Sequence, residues 1–204
     1  MIQRNISKYL DEFYKTSQKA LLLTGARQIG KTFAIREFGK KFKSFVEFNF
    51  VENQEFAEAI RKANGREDIL LLISTATKKP LIKGETLIFF DEVQACPEIV
   101  TAIKFLVEDG SYKYIMSGSL LGVELTDLRS EPVGYMSVKE MFPLDFEEFI
   151  RAVGIGDRVI DHLQQSWDSR IPVDSFIHQK MMELFRLYLV VGGMPEAVDR
   201  KSVV

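Results

Sequence analysis

Apolar residues recur along the chain with two alternating periods. Ile6, Leu10 and Phe13 are spaced for one helix face, so residues 2–17 read as an amphipathic lead-in helix. Lys19-Ala-Leu-Leu-Leu-Thr24 is instead an apolar run that ends in glycine, the pattern of a buried strand feeding a turn. Helical spacing returns at Phe33, Ala34, Phe38 and Phe42, which predicts a helix from Lys31 to about Phe42. Phe45-Val-Glu-Phe-Asn-Phe50 alternates and is rich in strand formers. Asn53 to about Lys79 reads as helix, in two pieces broken near Gly65. Thr86-Leu-Ile-Phe-Phe90 is a buried strand ending in Asp91-Glu92, and Pro97 to Val107 is a helix with proline suited to its first turn. Tyr112-Lys-Tyr-Ile-Met116 is a strand that runs into Ser117-Gly118-Ser119. Residues 120–132 read as an irregular polar connection, and Gly134 to Met141 as a fifth strand. Asp145-Phe-Glu-Glu148 is a capping box. Beyond it the pattern is helical throughout, with one long helix from about Asp174 to Val191.

Strands that alternate with helices imply a parallel sheet covered on both faces. The loss of strand signals near Pro143 divides the chain into a lead-in helix (residues 1–17), an α/β core (18–143) and a helical segment (144–204). A length of 204 residues suits one well-buried domain, or a domain plus a small appendage. The formal net charge of −2 supplies no global basic field to attract nucleic acid. The single cysteine, Cys96, allows no internal disulfide, which fits a reducing compartment. The N-terminus lacks the apolar core of a secretory signal, and the longest apolar runs are too short to span a bilayer. The expectation is a soluble, cytoplasmic protein with no membrane partner.

Residues 25–32, Gly25-Ala26-Arg27-Gln28-Ile29-Gly30-Lys31-Thr32, fit G-x-x-x-x-G-K-[ST] in full and lie between a predicted strand and a predicted helix. Small residues let successive backbone N–H groups wrap phosphates, and the helix N-terminus adds partial positive charge. Lys31 would reach the β- and γ-phosphates, and the Thr32 hydroxyl is placed to ligate Mg²⁺. Phe33 completes the stretch expected to touch nucleotide.

An apolar strand that ends in two acids is common by itself. Downstream of a complete phosphate loop it gains a role. Asp91 would hold Mg²⁺ through water, and Glu92 would orient and deprotonate a water opposite the γ-phosphate. Gln94, on the same loop, is open to nucleotide, a neighbour or solvent. Ser117, at the end of the next core strand, is the candidate to sense the γ-phosphate, with Ser119 as runner-up.

These motifs, in this order, resemble the AAA+ superfamily. Within it they are similar to bacterial and archaeal ATP-binding proteins that pair G-x-R-Q-x-G-K-T with D-E-x-Q and an S/T-G-S strand end. The matching stretches are residues 25–32, Asp91-Glu-Val-Gln94 and Ser117-Gly-Ser119, with further matches at Pro143-Leu-Asp-Phe-Glu-Glu-Phe149 and Gly192-Gly-Met-Pro-Glu-Ala197. The resemblance implies an additional-strand P-loop sheet followed by the start of an α-helical lid. It also implies ATP as the nucleotide and Mg²⁺-dependent hydrolysis. Two departures stand out. Many relatives carry a Gly-Arg pair where this chain has Gly134-Tyr135, so the arginine would come from a second copy or a partner protein, with Arg129 a guess within the chain. Relatives also usually continue past G-G-x-P-E-A into a further domain, which leads us to expect that residues 144–204 are a truncated lid.

Other features carry less. The basic run Arg36, Lys40, Lys41 and Lys43 reads as a solvated helix end before it reads as a nucleic-acid surface. His162 and His178 have no metal-ligand spacing, Cys96 reads as a small buried or loop residue, and Trp167 reads as packing. A nucleotide-controlled switch with little hydrolysis and a DNA-associated motor are the competing functions. A small-molecule kinase is disfavoured, because Glu92 beside Asp91 suits water activation.

Overall fold

A computed structural model gives the structure of the chain and describes residues 2, 4–119 and 134–201. Its elements are α1 (Asn5–Thr16), β1 (Ala20–Thr24), α2 (Lys31–Gly39), β2 (Ser44–Asn49), α3 (Gln54–Lys62) and α4 (Arg66–Ala76). There follow β3 (Thr86–Asp91), a one-turn 3-10 helix (Val93–Ala95), α5 (Pro97–Asp109), β4 (Lys113–Ser117) and β5 (Met136–Glu140). The chain closes with α6 (Phe146–Ala152), α7 (Asp157–Ser169), α8 (Ser175–Val191) and α9 (Pro195–Lys201). Two compact units result: Lys8–Met141, and Met1–Ser7 together with Phe142–Val204. The division falls inside α1 and just after β5, so the first residues of the chain group with its last helices.

In the unit Lys8–Met141 the strands form one sheet in the order β2-β3-β4-β1-β5, and every pairing is parallel. β1 and β3 are buried at every position, as strands covered on both faces must be. β2, at one edge, alternates buried and half-buried. Burial of the aromatic and aliphatic side chains of these strands drives the fold. Phe48 stacks on Phe56 at 4.3 Å, and Phe90 stacks between Phe48 and Tyr114. β1 lies between β4 and β5, so the chain order reverses across it. The carboxyl edge of a parallel sheet at such a switch point is where α/β proteins bind ligands. Ladder register sets Asn49 opposite Asp91 and Leu23 opposite Ser117, which brings the ends of four strands to that edge.

In the second unit, Asp145 caps α6. Its side chain accepts from the Glu148 N–H at 2.7 Å while Glu148 accepts from the Asp145 N–H at 3.2 Å. Glu148 also accepts from the Asn5 N–H at 2.6 Å and pairs with Arg4, whose guanidinium donates to the Phe142 carbonyl. The Gly192-Gly193 motif is explained by a close approach. The Leu144 N–H donates to the Gly193 carbonyl at 2.7 Å, and a Cβ on Gly193 would sit 2.2 Å from the Leu144 oxygen. Leu144, Phe149, Ile150 and Val198 form a small core, while α8 buries none of its residues fully and leaves Phe176, Leu189 and Val190 exposed.

The predicted elements differ from the structure mainly at their ends: α2 stops at Gly39 and α1 spans Asn5–Thr16. Trp167, expected to pack, is 80% exposed. The connection 120–132 and Arg129 lie outside the described residues. Among the described residues no helix is long and apolar enough to cross a membrane.

Candidate functional site

The loop between β1 and α2 owes its shape to three residues with positive φ: Gly25 (141°), Gln28 (63°) and Gly30 (96°). Gly25 is irreplaceable on two counts. Its φ disfavours any L side chain, and a Cβ there would lie 2.2 Å from the Met141 carbonyl and 2.7 Å from Ile29 Cδ1. Ile29 is fully buried and pins the loop to the core, while Ala26, Arg27 and Gln28 are exposed around it. Gly30 is the N-cap of α2, so the helix N-terminus opens toward the loop. Thr32 and Phe33 lie in its first turn, Thr32 half-buried and Phe33 49% exposed.

Lys31 turns back into the loop. Its ammonium donates to the carbonyls of Gly25 at 3.0 Å and Ala26 at 2.7 Å. Burial lowers its pKa, Glu92 and Asp91 pull it back up, and Arg27 lowers it further. Burial therefore outweighs the two neighbouring acids and works against the charge of the ammonium.

Asp91 is 3% exposed at the end of β3 and is gripped from the two neighbouring strands and a helix. Its Oδ2 accepts from Thr32 Oγ1 at 3.1 Å and from Asn49 Nδ2 at 3.4 Å. Its Oδ1 accepts from the Ser117 hydroxyl and from the Glu92 N–H at 3.1 Å. Burial pushes its carboxyl above the usual carboxylate range, against the downward pull of the Ser117 and Thr32 hydrogen bonds. Glu92 sits in the left-handed region (φ 56°), and its carboxylate accepts from Gln94 Nε2.

The structure thus gathers Lys31, Thr32, Asp91, Glu92 and Ser117 at one edge of the sheet. Ser117 touches Asp91, whereas the sequence pointed it toward the nucleotide; Ser119 is buried nearby in the chain. Asn49 was missed. The only sequence signal for it is the polar residue that ends the alternating run of β2. The basic run is neutralised by acids: Arg36 pairs with Glu47, Lys40 with Glu37, Lys41 with Asp11 and Lys43 with Glu85. At Tyr135 the nearby Glu108 carboxylate raises the pKa of the phenol.

A family model described as an AAA domain matches residues 17–150. No curated protein matches the chain. Among solved structures, the Walker-type ATPase PABY2304 of Pyrococcus abyssi aligns over 97% of this chain and 66% of its own, with a TM-score of 0.52 and 16% identity. PCH-2 of C. elegans aligns over 95% of this chain and 56% of its own (TM-score 0.49, 13% identity). AMPPCP-bound DnaA from Aquifex aeolicus aligns over 95% and 57% (TM-score 0.49, 13% identity). The chain therefore spans less than two thirds of these proteins, and the likeness to the first is one of fold.

Proposed function

This chain belongs to the AAA-domain family, and from that premise we propose that it binds ATP with Mg²⁺ on residues 25–32 and hydrolyses it slowly, its site completed by an arginine from a second copy or a partner protein. The observation that carries the reading is the meeting of the phosphate loop with the acidic strand end, where Thr32 and Asp91 are in hydrogen-bond contact and Lys31 is turned inward.

In this reading the loop N–H groups and the α2 N-terminus receive the phosphates, and Lys31 exchanges its loop carbonyls for phosphate oxygens. Among the described residues no cluster of three or more His, Cys, Asp or Glu side chains forms a metal site. Mg²⁺ does not require one. It uses one or two protein oxygens, waters and the phosphates themselves. The paired oxygens of Thr32 and Asp91, with Asn49 behind them, fit that demand. When bound, the ion would neutralise charge on the phosphate oxygens. Glu92 takes the proton of the attacking water. Ser117 and Asn49 hold Asp91 in place, and Ser117 at the end of β4 is the residue that reports the γ-phosphate. We place the protein in the cytoplasm, in keeping with its lone buried cysteine.

Turnover and calorimetry on wild type and Glu92→Gln test the reading. The variant is expected to keep ATP affinity within a few-fold and to lose about 10²–10⁴ in turnover, the usual worth of a general base. Wild-type turnover in the variant would favour a nucleotide-controlled switch. A DNA-associated motor has less behind it, because the basic run that would serve it is paired with acids.

A further inference from the structure

We infer that Gln94 is a positioning residue for Glu92, its amide holding one carboxylate oxygen so that the other is left free to take a proton. The inference rests on the reading of Glu92 as the general base. Gln94 Nε2 donates to Glu92 Oε2 across two residues. That contact is presented from a rigid turn. Val93 and Cys96, on either side of Gln94, are both buried in the core, at 1% and 0% exposure. The turn closes on itself through Ala95 N–H to the Glu92 carbonyl at 2.9 Å and Cys96 N–H to the Val93 carbonyl at 3.0 Å. From α3, Arg61 Nη2 donates to the Ala95 carbonyl at 2.5 Å. A base is useful only when its lone pair is aimed before the substrate arrives, and a donor on a fixed support does that aiming.

The other end of the same amide carries the second half of the argument. Gln94 Oε1 is buried and has no hydrogen-bond partner among the described residues. An orphaned buried oxygen works against stability, and a methionine of the same length would avoid it. Reversing the amide would set Oε1 against the Glu92 carboxylate, which is worse. The charge of Glu92 therefore fixes the orientation, and the fold itself draws no benefit from the polar group. What the amide serves is Glu92.

The test is Gln94→Met, made in wild type and in Glu92→Gln, with single-turnover hydrolysis at excess protein, ATP calorimetry and thermal melting. In wild type the substitution is expected to leave the melting temperature equal or higher and ATP affinity within about twofold. The hydrolysis rate should fall on the order of 10- to 100-fold, as expected when a reacting group is misplaced by about 1 Å. In Glu92→Gln it should slow hydrolysis no further, because the group it aims is gone. Unchanged hydrolysis, an equal loss in both backgrounds, or a loss that follows a lowered melting temperature overturns the inference. If Glu92→Gln itself hydrolyses like wild type, or wild type does not hydrolyse, the base assignment has failed and the inference falls with it. If Glu92→Gln is slow and Gln94→Met is not, the inference alone has failed.

Discussion

Thr32 Oγ1, in the first turn of α2, lies 3.1 Å from Asp91 Oδ2 at the end of β3, across a sequence separation of 59. The hydroxyl and the carboxylate come from the two motifs that a phosphate-binding site needs, and here they share a hydrogen bond. The bond depends on the sheet order, which brings the loop after β1 beside the carboxyl end of β3 with β4 between the strands.

Lys31 turns its ammonium inward to the loop carbonyls. Lys31→Ala is expected to abolish ATP binding measurable by calorimetry, with little loss of melting temperature, since burial works against the charge of the ammonium. Unchanged affinity would remove the loop from the site.

Asp91 is expected to hold the nucleotide-free fold back. Burial raises its folded pKa, so the folded state favours the protonated acid. Its contribution to stability is then fully present below the unfolded value and is lost as pH rises through the folded one. Asp91→Asn should therefore melt at a higher temperature than wild type near pH 7, with the gap closing as pH falls toward about 4. Melting curves over that range without nucleotide decide the point. A variant less stable than wild type at neutral pH would contradict it.

Arg4 and Glu148 form a buried ion pair at 3.1 Å, with side chains 9% and 5% exposed. Glu148 also accepts from the backbone of Asn5 and Asp145. Removing one partner of a buried pair leaves a charge in low dielectric and typically destabilises by about 3–5 kcal/mol. Glu148→Ala is expected to fall in that range by urea unfolding. A loss below about 1 kcal/mol, the worth of an exposed pair, would mean that water reaches the site.

Turnover by the chain alone should be slow, below about 1 s⁻¹. Tyr135 stands where the AAA+ resemblance leads one to expect an arginine, and a missing arginine finger can lower phosphoryl transfer by about 10³–10⁵. Turnover per chain measured across a dilution series should rise with concentration, or on addition of a partner that contributes the arginine. Fast, concentration-independent hydrolysis would show that the site is complete in one chain, with Arg27 and Arg129 the first residues to replace.

The sequence by itself determined whatever consecutive residues can build. The Gly25–Thr32 loop is one contiguous stretch, so its glycines, Lys31 and Thr32 were legible from spacing alone. The same holds for the alternation of strands and helices, for the apolar run that ends in Asp91-Glu92, and for the Asp145–Glu148 capping box, whose two hydrogen bonds span three residues. The tertiary structure decided everything that depends on which strands are neighbours and in what register. Asn49 joined the site because β2 pairs with β3 so that Asn49 faces Asp91, and Ser117 came to Asp91 because β4 lies on the other side of β3. Arg4 found Glu148 across most of the chain, and the basic run beside α2 met acids from α1, β2 and the approach to β3. A hydrogen bond or ion pair acts over about 3–4 Å, and distance in space follows strand order and packing. Spacing along the chain fixes that distance only within a single turn or helix.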